Sequence, residues 1–226
     1  MKKVLCIALS VVCVFLLSGC ITFEIVDGNE TVDNVVEGSA GGTENLADKV
    51  SVKWETTSDR DVCVFLSNES AKIIPHVSGQ VLYKDSEGKT VDITEFSFDA
   101  VLSGTTVVHC AYAYDVTDTW ETYEVTYSLD MDWDVGDKNH ADKCTVSSNV
   151  GDGNIIVEIK NNAGVKLDEV DYVVVFYKND EVVYAAYPEN RYEISIESGA
   201  TNTSKADTRG REYDRYEVYL NEAIEW

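Results

Sequence analysis

Basic residues are in short supply in this chain: 18 lysines and arginines stand against 41 aspartates and glutamates, a formal net charge of −23 over 226 residues. Nucleic-acid binders hold phosphates with clustered Lys and Arg, so the deficit argues against that class of partner. Anionic lipid headgroups are repelled for the same reason. Histidine occurs only at positions 76, 109 and 140, and no cysteine pair has C-x-x-C spacing, so the usual zinc ligand sets are missing. There is no G-x-S-x-G elbow and no phosphate-cradling glycine loop. Carboxylates are so numerous that any spacing between two of them can be found, which leaves a glycosidase pair without information. Catalysis is not expected. Helical periodicity is close to absent as well, and only Pro75 and Pro188 interrupt the chain, both at the edges of apolar runs where a missing N–H does least harm.

What is present begins at the N-terminus. Lys2 and Lys3 precede an apolar stretch over residues 4–17 that contains no acid, and Leu17-Ser18-Gly19-Cys20 closes it. The stretch is shorter than the roughly 20 residues a spanning helix needs, and Thr22, Glu24 and Asp27 follow at once, so it reads as an export signal. This end resembles the lipobox signal of bacterial lipoproteins. The resemblance implies cleavage between Gly19 and Cys20, a lipid on Cys20 and attachment to the extracytoplasmic face of a bacterial membrane; an uncleaved anchor or an ordinary signal peptide is the alternative. Loss of residues 1–19 removes two lysines and no acid, leaving 41 acidic against 16 basic residues, a net of −25. Residues 20–48, rich in Gly, Asn, Thr, Ser and acid, read as a tether with a mean reach of roughly 30 Å.

From residue 49 onward the chain reads as strands. Val, Ile, Thr, Tyr and Phe fill short alternating runs separated by Gly, Asn, Asp and Ser, the pattern of antiparallel sandwiches or barrels. The runs expected in the first half cover residues 50–54, 62–67, 77–84, 95–102, 105–114 and 119–129. The second half repeats the first. Leu66-Ser67-Asn68 returns as Ile159-Lys160-Asn161, Val81-Leu82-Tyr83-Lys84-Asp85 as Val175-Phe176-Tyr177-Lys178-Asn179, Ser103-Gly104 as Ser198-Gly199, and Tyr123-Glu124-Val125 as Tyr216-Glu217-Val218. The expected organisation is all-β: two β-sandwich domains at 49–130 and 142–226, placed in series and joined by an acidic linker at 131–141.

The end of one strand in Asn161-Asn162, the run Val173-Val174-Val175-Phe176-Tyr177-Lys178 leading into an acidic turn, the Ser-Gly turn and the final aromatic strand together resemble the immunoglobulin-like FxLYD-type domains of bacterial surface lipoproteins. The likeness covers residues 142–226 well and 49–130 more loosely. It departs from the family pattern at Ser103 and Ser198, where that pattern usually has Pro before Gly. The resemblance implies a non-catalytic extracytoplasmic module with an immunoglobulin-like fold.

Three groups of residues are candidates for a site. Asp130, Asp132, Asp134 and Asp137 alternate in the linker and offer oxygen ligands to Ca²⁺, although the glycine position does not follow the EF-hand loop; a solvated acidic linker is the plain alternative. Tyr184, Tyr187, Tyr213 and Tyr216 offer a stacking surface for a glycan or protein, or else fill the core. Cys63 and Cys110, both inside apolar runs, either pair as a disulfide or behave as small free hydrophobes, and Cys144 has no obvious partner. Trp54 and Trp120 are expected in the first core. The function expected from these features is a lipid-anchored binding or adhesion module for a protein or glycan. A structural or regulatory envelope lipoprotein is the alternative, with a protease inhibitor or enzyme behind it.

Overall fold

The computed structural model describes residues 26–27, 49–113, 119–132, 138–191 and 193–226. Strands dominate: β1 (Val26–Asp27), β2 (Val50–Thr56), β3 (Val62–Asn68), β4 (Ile74–Lys84), β5 (Thr90–Val101), β6 (Thr105–Ala111), β7 (Thr122–Asp130), β8 (Cys144–Gly151), β9 (Asn154–Asn161), β10 (Glu169–Lys178), β11 (Glu181–Ala186), β12 (Thr201–Asp207) and β13 (Arg215–Ile224). Among the described residues there is no α-helix, and a 3₁₀ turn covers Ala141–Lys143. The strands form four antiparallel sheets ordered β1-β7-β4-β5, β2-β3-β6, β11-β10-β13 and β12-β9-β8. The protein is all-β and built as two sandwiches. Val52, Val64, Leu66, Val81, Tyr83, Phe96 and Trp120 lie in the core of the first, and Ile155, Val157, Ile159, Tyr172, Phe176 and Ile194 in that of the second.

The internal repeat is physical. In each half the first, second and fifth strands make one sheet and the third, fourth and sixth make the other. Both halves also close the end of their second strand in the same way. The buried Asn68 donates from Nδ2 to the carbonyls of Lys72, Val101 and Leu102, while its Oδ1 accepts from the Ser70 amide. Asn161, equally buried, donates to the carbonyls of Val165 and Ile196 and accepts from the Ala163 amide. The Ser-Gly turns then dock through their backbone, Gly104 N–H on the Asn68 carbonyl at 2.7 Å and Gly199 N–H on the Asn161 carbonyl at 2.9 Å. Both glycines sit at positive φ, 72° and 75°, where an L side chain is strained.

One detail of the repeat needs correction. Tyr83 was matched by sequence to Tyr177, yet Tyr83 pairs with Tyr123 and Phe176 pairs with Tyr216. Tyr83 therefore corresponds to Phe176, and both are core residues. A slip of one residue exchanges the two faces of a strand, so the identity of two tyrosines misled where the pleat does not.

The arrangement of the sandwiches also differs from units in series. The outer face of β3 and β6, with Cys63, Phe65, Val108 and Cys110, packs against the outer face of β10 and β11, with Val173, Val175, Tyr177 and Val182, and together they form a third apolar cluster. The four sheets are thus stacked through three apolar layers. This explains why Val62-Cys63-Val64-Phe65-Leu66 and Tyr172-Val173-Val174-Val175-Phe176-Tyr177 are apolar without interruption: strands buried on both faces lose the polar alternation. The 131–141 segment does not act throughout as a free linker, because Asn139 pairs with Ile224 and donates from Nδ2 to the Ala100 carbonyl across the interface.

Candidate functional site

Polar groups seal the junction of the two sandwiches, and a cleft opens beside them. β6 is an edge strand, and unpaired edge amides are costly when buried. Asn221 on β13 satisfies them: its Oδ1 accepts from the Val108 amide at 2.8 Å and its Nδ2 donates to the Val108 carbonyl at 2.9 Å, as a neighbouring strand would. The Tyr187 hydroxyl accepts from the Cys110 amide at 2.9 Å. Glu222 Oε1 accepts from the Asp99 amide of β5 at 3.0 Å. Arg191 forms a two-pronged pair with Asp171, Nε to Oδ1 at 2.7 Å and Nη2 to Oδ2 at 3.1 Å, and its guanidinium lies 3.7 Å from the Tyr187 ring centre.

Beyond this seal is a cleft of about 780 Å³ with walls from both sandwiches. The first sandwich contributes His109 of β6 and the strands β4, β5 and β7. Their register places Ser97, Ser78 and Ser128 in one cross-strand row and Glu95, Gln80 and Thr126 in the next. The Ser78 and Ser128 hydroxyls are 3.1 Å apart, and Gln80 Nε2 donates to Glu95 Oε1 at 3.3 Å. The second sandwich contributes Glu169, Asp171, Arg191, Asn221 and Glu222. Gly79 sits in the central strand because a Cβ there would lie 2.2 Å from the Phe96 ring and 2.5 Å from the Thr126 carbonyl oxygen. The lining is rich in hydroxyl, amide and carboxylate groups, with Arg191 as its one Lys or Arg.

Two groups on the cleft have displaced titrations. Burial first, and then the charges of Asp171, Asp99 and Glu169, push the Glu222 carboxyl up to about 7, against the lowering effect of the Asp99 amide. Burial and then the Arg191 charge push His109 down to about 4, with Asp171 opposing, so its imidazole is neutral at pH 7. A carboxyl raised on folding binds its proton more tightly in the native state. Its stabilising contribution is complete below about 4.5 and is lost as pH rises through about 7. Glu222→Gln keeps an acceptor for the Asp99 amide and removes this loss. The variant is expected to be more stable than the parent by about 2 kcal/mol at pH 8 and equal to it at pH 4. Thermal melts across that range check the sign, and a parent no less stable at pH 8 than the variant would refute it.

The residues expected from sequence are distributed differently. Cys63 and Cys110 face each other across β3 and β6 and form a disulfide with Cα atoms 4.0 Å apart, inside the interface cluster. Cys144 is a free, partly buried thiol whose pKa burial raises to about 11. Of the tyrosine patch, Tyr184 is only 4 % exposed and stacks on Phe176 at 5.6 Å, so it belongs to the second core and not to a surface. Tyr187 is taken up by the interface seal. Tyr213 and Tyr216 pack edge-on at the rim of the same core. The four do not form one exposed stacking face, because Tyr184 and Tyr187 are held by the core and the interface. Trp120 is buried in the first core, and Trp54 is partly buried against it. Asp130 accepts the Asp132 amide at 3.0 Å, while Asp134, Asp137 and Cys20 lie outside the described residues. Among the described residues no cluster of three or more His, Cys, Asp or Glu is arranged to hold a metal ion.

The cleft residues were not singled out from sequence. The available signal was Asn221-Glu222, two adjacent polar residues that break the alternation between Leu220 and Ala223-Ile224 in the final strand, together with a glycine in the middle of a strand at Gly79. No protein-family model and no curated protein sequence matches the chain. Among solved structures it is similar to the crystal structure of red sea bream transglutaminase, with a TM-score of 0.27 and 9% identity over 77% of this chain and 27% of that one.

Proposed function

We propose that the chain is a lipid-anchored extracytoplasmic binding module, held to a bacterial membrane through Cys20, whose ligand is a hydroxyl-rich glycan seated in the cleft between its sandwiches. The observation that supports this reading is the pair of cross-strand rows, Ser97-Ser78-Ser128 and Glu95-Gln80-Thr126, in the lining of a cleft large enough for a small ligand. Alternating hydroxyl, amide and carboxylate groups match the donor and acceptor character of sugar hydroxyls. The two walls are joined through an apolar interface, so the cleft is pre-formed and little ordering cost falls on binding. The proposed role is non-catalytic.

Gln80→Ala and Glu95→Gln alter the floor without touching either core. On full chain immobilised through detergent micelles and probed with cell-wall and host glycans, each is expected to weaken binding at least tenfold. Retained binding in both variants would remove the cleft from the proposal. Cys20→Ala is expected to release the protein from the membrane fraction or leave an unprocessed precursor, and a variant that stays processed and membrane-bound would refute the anchor.

A further inference from the structure

The last sheet ends in a strand whose outer edge is left open. β8 pairs only with β9, through a hairpin whose two-residue turn, Asp152-Gly153, has φ of 48° and 76° at its two positions. Such a turn makes Gly151 and Asn154 a hydrogen-bonded pair, and Asn162 N–H donating to the Lys143 carbonyl marks the same phase at the far end. The backbone groups of Thr145, Ser147, Asn149 and Gly151 therefore point to β9, and those of Val146, Ser148 and Val150 point away from it. Among the described residues those outward groups meet no backbone partner.

Natural proteins protect sheet edges with charge, proline, bulges or covering segments, and the other edges here show it. β5 carries Asp92, Glu95 and Asp99, and β2 carries Lys53 and Glu55. β6 is closed by Asn221 and Tyr187. β11 carries Glu181, and its backbone is met by Ser58 and Glu55. β12 carries Lys205 and Asp207 and is bridged at Ala206 by Pro188. β13 carries Arg215, Glu217 and Glu222. In β8, Cys-Thr-Val-Ser-Ser-Asn-Val-Gly, there is no charged residue and no proline. Val146 and Val150 lie opposite the core residues Ile159 and Ile155, yet are 36 % and 61 % exposed.

We propose that β8 is a docking edge for a second copy of this chain, joining the β8 strands antiparallel about a two-fold axis at Ser148 into one six-stranded sheet, β12-β9-β8 continued by its equivalent. The register is self-complementary. With Ser148 opposite Ser148 of the second copy, Val146 falls opposite Val150 and Val150 opposite Val146, all three positions presenting outward backbone groups. Each exposed valine is then covered by a β-branched neighbour. Charge favours the same occupant. In a chain of net −23, the segment 142–161 holds only Asp142, Asp152 and Glu158 against Lys143 and Lys160, and screening over about 8 Å at physiological salt makes this local balance the relevant one.

The test uses the full chain in density-matched detergent. Sedimentation equilibrium is expected to give twice the mass of one processed chain, and Val150→Lys to weaken the association at least a hundredfold with unchanged circular dichroism. In a Cys144→Ala background, Ser148→Cys is expected to form a covalent dimer on mild oxidation, because paired residues about 5.5 Å apart at Cα lie within disulfide reach. Ser147→Cys, two residues out of register with its own copy, is expected to stay monomeric on reducing-free gels. A monomer at every concentration overturns the proposal, as does a dimer insensitive to Val150→Lys, a dimer in which Ser148→Cys fails to link, or occupation of the edge only by an added strand peptide.

Discussion

Asn68→Ala will lower the melting temperature by about 10 °C, an effect large for one uncharged side chain. The carboxamide is fully buried and makes bonds at both ends, to the carbonyls of Lys72, Val101 and Leu102 and from the amide and hydroxyl of Ser70. Alanine leaves several of these groups without partners in a space too small to admit solvent freely. Each buried orphan costs about 1–3 kcal/mol, so about 3–5 kcal/mol in all is expected, and a domain of this size moves roughly 2–4 °C per kcal/mol. Asn68→Asp is the more telling variant. It keeps the acceptor toward Ser70 but sets a buried anion against carbonyl oxygens, so it is expected to be at least as damaging as alanine near pH 7 and less so near pH 4, where the carboxyl is protonated and can donate. A melt of Asn68→Ala within 2 °C of the parent would show that the loop after β3 is held by other means.

Removal of the Cys63–Cys110 bond is the second large effect. The cysteines are separated by 47 residues, and a closed loop of that length contributes about 4 kcal/mol through the entropy it removes from the unfolded chain. The double variant Cys63→Ala/Cys110→Ala is expected to melt about 10 °C below the parent. The loss will not stay in the first sandwich. Both sulfurs sit in the apolar layer against Val173, Val175 and Tyr177, and the Cys110 amide bonds to Tyr187. Faster hydrogen exchange is therefore expected at the Val108 and Cys110 amides. A melting temperature unaffected by the double substitution would refute the loop-entropy argument, and unchanged exchange at those amides would show that the interface holds without the bond.

The fold class was legible because alternation is a local signal, and the duplication because Asn68 and Asn161 close equivalent loops with equivalent bonds. The alignment of Tyr83 with Tyr177 failed for the complementary reason: identity of residue type carries no phase, while burial does. The stacking of the sandwiches was present in the sequence as well, in the uninterrupted apolar runs of β3 and β10, but an apolar run does not say which surface covers its second face. The cleft was least legible. Its groups come from β4, β5, β6, β7, β10, β13 and the segment holding Arg191, and their convergence depends on how the sandwiches pack, which no spacing along the chain encodes. Tyr184, Tyr187, Tyr213 and Tyr216 looked like a surface because strand-like runs can present aromatics on either face, whereas which face each occupies is decided by the register.

The contact between the sandwiches joins two different surfaces, the sheet of the first, second and fifth strands in one copy and the opposite sheet in the other. If both copies carried both surfaces, the same contact would repeat without end, as in a head-to-tail filament. The chain prevents this at each end. Phe65 in the first copy corresponds to Glu158 in the second, and Val173 and Tyr177 in the second correspond to Gln80 and Lys84 in the first. Growth of the stack is therefore stopped at two members by polar residues at the positions where a further contact of this kind would need apolar ones, so a third unit grafted onto this chain would find no surface to receive it.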